Sequence, residues 1–186
     1  MADNYLNSDL FVDDGGSPSS PVQGISYNVI TDLATEPVLP AFFKLHARID
    51  YNTDDELITS YIKSARQYLE QWSQLSFGTK TIRFTALKAP AKWKLMFGPY
   101  TAIAGTDYTL FGNDILVEGG TDVDITLTSG WTLPEAVKIA ICKRAAGDYC
   151  IRENYVIIDK GAIQTPDMLY DEAQKLLQPY MNISWP

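Results

Sequence analysis

Thr53-Asp54-Asp55-Glu56-Leu57-Ile58-Thr59-Ser60-Tyr61-Ile62-Lys63-Ser64-Ala65-Arg66-Gln67-Tyr68-Leu69-Glu70-Gln71-Trp72 is the stretch on which the reading of this chain turns. Thr53 and Glu56 have capping-box spacing, in which a hydroxyl and a carboxylate satisfy N–H groups that a helix start leaves open. Asp54 and Asp55 add negative charge where the helix dipole is positive. Behind them Ile58, Tyr61, Ile62, Ala65, Leu69 and Trp72 recur at the helical period over about five turns, with Lys63, Arg66 and Glu70 on the other face. The spacing predicts a long amphipathic helix over roughly 54–75.

Upstream, Pro40 suits the first turn of a short helix in which Phe42, Leu45 and Ile49 share a side. Downstream the period changes. Thr81 to Leu87, Trp93 to Phe97 and Val123 to Thr128 alternate as strands do, with turn residues at Gly98-Pro99, Gly112-Asn113 and Gly119-Gly120. A small antiparallel sheet is expected over about 79–131. Thr132 and Glu135 repeat the capping-box spacing before a helix running to about Arg152, whose first half is apolar on nearly every side and so belongs between other elements. Thr165-Pro166 opens a last helix that should end before Pro179. The expected fold is α+β, mainly α: a helical bundle with a long central helix and a small antiparallel β-sheet inserted between the helices.

The chain has 186 residues, 46% of them apolar and 20% charged, enough for one domain with a real core. It carries 23 Asp and Glu against 15 Lys and Arg, a formal charge of −8. Six of those acids lie in residues 1–43, which hold no Lys or Arg, and the rest of the chain holds 17 acids against 15 bases. That first stretch also contains Gly15-Gly16-Ser17-Pro18-Ser19-Ser20-Pro21, which favours extended chain and offers little to bury. Residues 1–38 are therefore expected to form a flexible acidic arm, either a plain tail or one that orders against a neighbouring subunit.

An acidic chain is a poor match for a protein whose task is to neutralise phosphates. Between Gln71 and Thr106, however, Lys80, Arg83, Lys88, Lys92 and Lys94 occur without any acid. This strip reads first as the solvated face of two strands, and second as a surface that meets a polyanion.

Catalytic signals are absent from the sequence. It has no phosphate-binding glycine loop, no Cys-x-x-Cys and no His-Glu-x-x-His, so no cofactor or metal is expected. His46 is its single histidine and lies in an amphipathic stretch, where a helix-surface role is the simpler reading. Asp122 and Asp124 share a strand face but lack further oxygen ligands nearby, and read as solvated edge carboxylates. Cys142 and Cys150 are about 12 Å apart along one expected helix, too far for a disulfide, and read as reduced buried thiols. Met1-Ala2-Asp3 lacks a basic start, and no apolar run approaches a membrane span, so a protein made in a cytoplasm, with no membrane contact, is expected.

The chain resembles the head-tail connector, or adaptor, proteins of tailed bacteriophages. The resemblance rests on phrases in order: Lys44-Leu45-His46-Ala47-Arg48-Ile49-Asp50; Asp54-Asp55-Glu56 with Ile58; Ala65-Arg66 and Tyr68-Leu69-Glu70. After these come Gly98-Pro99, Ile125 to Trp131, Pro134 through Tyr149-Cys150-Ile151-Arg152-Glu153, and Leu176-Leu177-Gln178-Pro179-Tyr180. It covers about residues 40–181. What it implies is a structural virion protein made in the host bacterial cytoplasm, not an enzyme. Such a protein forms a homo-oligomeric ring, commonly of twelve copies, in the neck below the portal protein and above downstream neck or tail proteins. The ring extends the channel through which genomic DNA passes without sequence-specific binding. By this analogy 39–178 is the connector domain and 179–186 a docking tail for the portal or a neighbouring subunit, through Tyr180, Met181, Ile183 and Trp185. Lys88, Lys92 and Lys94 are candidates for contact with channel DNA or an acidic partner. The alternatives are another neck component, such as a head- or tail-completion ring protein, and, in a different class, a small DNA-binding accessory module using residues 80–94.

Overall fold

The computed structural model describes residues 25–50, 52–88, 92–94, 96–105, 109–111, 114–116, 121–153, 157–159 and 162–181. Two compact units emerge: residues 25–32 with 79–130, and residues 33–78 with 131–181. The first is a sheet unit and the second a helical unit.

The sheet unit begins with β1 (Ile25–Thr31), followed in the chain by β2 (Lys80–Lys88), β3 (Lys92–Lys94), β4 (Tyr100–Gly105), β5 (Thr109–Phe111), β6 (Asp114–Leu116) and β7 (Thr121–Ser129). Four of these form an antiparallel sheet in the order β1-β2-β7-β4, and the others form a small sheet in the order β3-β6-β5. Alternation sorts the faces of the larger sheet. Ile82, Phe84 and Ala86 of β2 and Val123, Ile125 and Leu127 of β7 are buried, with Phe97 and Met96 in the same cluster. Phe97 takes a left-handed backbone with φ of 67°, uncommon for a bulky residue. Its ring lies 5.2 Å from that of Tyr27, within a packed core that offsets the strain.

β1 corrects the expected arm. The residues 25–31 read Ile-Ser-Tyr-Asn-Val-Ile-Thr, uncharged and rich in strand formers, and they pair antiparallel with β2, Tyr27 opposite Phe84, with a register shift between Val29 and Thr31. The sheet is thus not wholly an insertion between helices. Its first strand precedes them all.

The helical unit contains α1 (Pro40–Ala47), α2 (Asp55–Ser73), α3 (Glu135–Glu153) and α4 (Pro166–Met181), with a hairpin of β8 (Ile157–Asp159) and β9 (Ala162–Gln164) between the last two. α3 packs against the other three helices, as its two-sided apolar sequence requires. Val137, Ala140, Ile141, Ala145 and Tyr149 of α3 are buried, together with Ile58, Ile62, Ala65 and Leu69 of α2 and Leu169, Ala173 and Leu177 of α4. At Gly147 a side chain would have no room: a Cβ there would stand 2.4 Å from Tyr170 Cε1 of α4.

Several helix details differ from expectation. α2 starts at Asp55, and its cap residue Asp54 makes no side-chain capping bond. The acids at this start are instead used in tertiary contacts: Tyr149 Oη donates to Asp54 at 3.2 Å, and Lys44 Nζ pairs with Asp55 at 2.9 Å. α3 likewise begins after Pro134, whose carbonyl accepts from Val137 N at 3.0 Å, so Thr132 lies outside it. In α1 the buried side chains are Phe43 and Ala47, while Phe42 and Leu45 are exposed. α4 does not stop before Pro179 but runs to Met181. A proline so near the end removes one N–H bond of the last turn, a loss the terminus tolerates.

Candidate docking surfaces and the family

Arg66 and Glu70 were expected on the outer face of α2, yet they are 1% and 3% exposed. The Arg66 guanidinium donates to both carboxylate oxygens of Glu36, from Nε at 2.7 Å and Nη2 at 3.0 Å, and from Nη1 to Glu70 at 2.9 Å. Glu70 also accepts from the backbone N–H of Phe77 at 2.6 Å. Breaking such a buried pair costs about 3–5 kcal/mol, because a charge is left without its partner. Glu36 and the buried Val38 thereby fasten residues 33–38 to the helices. The expected arm of 1–38 is therefore a strand and an anchored connection over 25–38, while residues 1–24 lie outside the described residues.

On the outer face of the four-stranded sheet, Ile30, Arg83, Ala104, Gly105, Asp124 and Thr126 line a shallow open depression. Gly105 has φ of 136°, and a Cβ there would fall 2.1 Å from the carbonyl oxygen of Asp124, so only glycine lets β4 close on β7. Arg83 and Asp124 form a two-pronged pair, Nε to Oδ1 at 2.8 Å and Nη2 to Oδ2. That hydrogen bond to Arg83 holds the Asp124 carboxyl below its ordinary range, and the same contact raises the guanidinium. Asp124 is not an edge carboxylate, since β7 lies inside the sheet.

The basic strip does not form one continuous charged face. Lys80 is buried and Arg83 is matched by Asp124. Lys88 ends β2 of the larger sheet, whereas Lys92 and Lys94 bracket β3 of the smaller one; the side chains of all three lie outside the described residues.

At the other end of the chain, Tyr180 and Met181 belong to α4 and not to a tail. The ring of Tyr180 meets Trp131 edge-on, with centroids 5.8 Å apart, and Trp131 Nε1 donates to Ser76 O at 2.6 Å. Tyr180 is thus half-buried on its own unit. Ile183 and Trp185 lie outside the described residues.

The remaining reactive side chains are placed for packing. Cys142 and Cys150 are free and buried, and burial pushes the Cys142 thiol up to about 12. Thiolate chemistry at neutral pH is closed to it. His46 is exposed on α1. Among the described residues no three His, Cys, Asp or Glu side chains are grouped to hold a metal ion, and no helix is long and apolar enough to cross a membrane.

Residues 42–181 match the family model of phage gp6-like head-tail connector proteins, three quarters of the chain. The chain belongs to this family. A connector is a structural component of the virion neck, and that is the role and location of this chain. A comparison with curated proteins gave no match. Among solved structures this connector is similar to a chain in the neck of a native gene transfer agent particle computed with C12 symmetry (18% identity, TM-score 0.55). It is also similar to one in the neck of the empty particle computed with C6 symmetry (17%, 0.58) and to one in the virion of the native particle (16%, 0.59). Each likeness covers 80% of this chain and 94% of the other, and at these identities it speaks for the fold.

Proposed function

We propose that this connector assembles as a closed ring of twelve copies beneath the portal, extends the channel toward the tail and carries out no catalysis. Family membership over residues 42–181 is the observation that carries this reading. The twelve-fold and six-fold symmetry of the particles that hold its structural neighbours supports a ring. The charge of the body fits as well. From residue 25 on acids and bases number 19 and 15, and Arg83 of the sheet is matched by Asp124, so passing DNA meets little to hold it.

Docking on the portal is assigned to the C-terminal end, where Met181 closes α4 and Ile183 and Trp185 follow with large apolar groups, the kind of anchor that dominates interfaces. Tyr180 contributes by fixing the direction of that end against Trp131. Lys88, Lys92 and Lys94 are assigned to an acidic partner surface or to DNA in the channel. One binding assay with portal-bearing capsids tests both assignments. Removal of residues 182–186, which leaves α4 whole, should abolish attachment, and Lys88→Ala, Lys92→Ala and Lys94→Ala together should weaken assembly or slow DNA release. Normal attachment after the deletion would refute the tail assignment, and unchanged assembly and release in the triple variant would leave the lysines merely solvated.

A further inference from the structure

α1 is apolar on two sides. Phe43 and Ala47 are buried in the helical core, whereas Leu39 at the cap, Phe42 and Leu45 follow at steps of three along another side, with Phe42 40% and Leu45 79% exposed. A helix with apolar residues on two sides belongs between two layers, and the described residues supply only one.

A second exposed apolar group lies across α3. α4 runs antiparallel to α3: Lys143 pairs with Glu172 at 2.5 Å, and Tyr170 lies against Gly147 and donates to Asp148 at 2.7 Å. Continued by one turn, this register sets the start of α4 beside Ile151. Ile151 is 62% exposed and Met168 of α4 is 45% exposed. Gly147 meets α4, and Tyr149 meets Phe43 of α1 with ring centroids 6.3 Å apart. Two residues turn a helix by about 200°, so α4 and α1 touch opposite sides of α3.

The two groups also differ in charge. Lys44 is matched within the chain by Asp55 and Glu172 by Lys143, and the exposed charges beyond these pairs are Arg48 at the end of α1 and Asp167 and Asp171 in the first half of α4. Different, complementary patches on opposite sides of one unit are what a heterologous ring contact needs.

We propose that Phe42 and Leu45 of one copy pack on Ile151 and Met168 of the next, with Arg48 at the end of α1 on the side of Asp167 and Asp171 of α4, and that this contact closes the ring. The inference rests on the ring reading above and adds the two faces and their pairing. Burial of Cys142 and Cys150 leaves the surface free for placed thiols. With a short bis-maleimide, the full chain carrying both Leu45→Cys and Met168→Cys should give a ladder of covalent multimers. An equimolar mixture of the two single variants should stop at dimers, and each single variant alone should give none. Leu45→Asp should lower association about tenfold or more, a loss of about 1.4 kcal/mol per contact, with helix content unchanged. A wild-type ring seen by mass, together with no cross-linking at this pair or with efficient linking of Leu45→Cys to itself, would overturn the pairing and leave the ring standing. A chain that stays single both alone and on portal-bearing capsids would overturn the ring reading and this pairing with it.

Discussion

Asp124 and Arg66 illustrate how one contact changes the meaning of a charge. Asp124 looks from its neighbours like a solvated carboxylate, yet Arg83, diagonal to it on the adjacent strand, holds it in the ionised form. A carboxyl whose folded value is depressed contributes stability that is complete above its unfolded value, near 3.9, and is lost as the pH falls through the folded value. Asp124→Asn should therefore melt lower than wild type at pH 7, with the gap closing as the pH is taken down through about 4 and below. It should also narrow in high salt, since the pair is exposed. Thermal scans at several pH values check this, and a gap independent of pH would contradict it. Arg66 could not be read in the same way from sequence. Helical periodicity puts it off the apolar stripe, and its burial is matched by Glu70 on the same helix and, at both carboxylate oxygens, by Glu36, thirty residues upstream. A sequence window that ends at the helix cannot contain that partner.

The helices themselves were legible because their apolar residues recur locally. α2 lies where its period puts it, and the two-sided apolar character of α3 announced its place between other helices. What failed was finer. The capping box at Thr53 is not made because α2 starts one residue later, with Asp54 at the cap, and Asp54 accepts from Tyr149 instead of making a local capping bond worth about 1 kcal/mol. β1 was hidden by counting charge: residues 25–31 are as strand-like as β2, but they sit in a stretch whose acids and Gly-Pro-Ser run suggested an arm. α3 and α4 meet tightly at Gly147, where Tyr170 fills the space of a side chain. Gly147→Ala would gain helix propensity of about 1 kcal/mol but must push α4 away, and overpacking costs about 1–3 kcal/mol. The variant should be destabilised on balance, with a lower urea midpoint. A higher midpoint would mean that α4 yields freely.

For the molecule as a whole, the −8 of the sequence divides unevenly. Six acids without a base precede residue 44, and the remainder is close to neutral. That division, and not the total, is what the proposed channel role calls for. The candidate docking surfaces were only partly legible. Tyr180 reads as a tail residue because a proline precedes it, and its contact with Trp131, about fifty residues away, appears only in the fold. Of the three residues grouped on one side of α1, Phe42 and Leu45 are exposed and Ile49, past the end of the helix, is buried; Phe42 and Phe43 are adjacent, and periodicity alone does not choose between them. The ring contact proposed above would give Phe42 and Leu45 an apolar partner. The central claim is tested most directly by measuring the mass of the full chain alone and on portal-bearing capsids. The account predicts a closed assembly of twelve 20.8 kDa chains bound to the capsid. Attachment of single copies, an open series of lengths, or failure to bind capsids together with salt-sensitive binding to duplex DNA would contradict it.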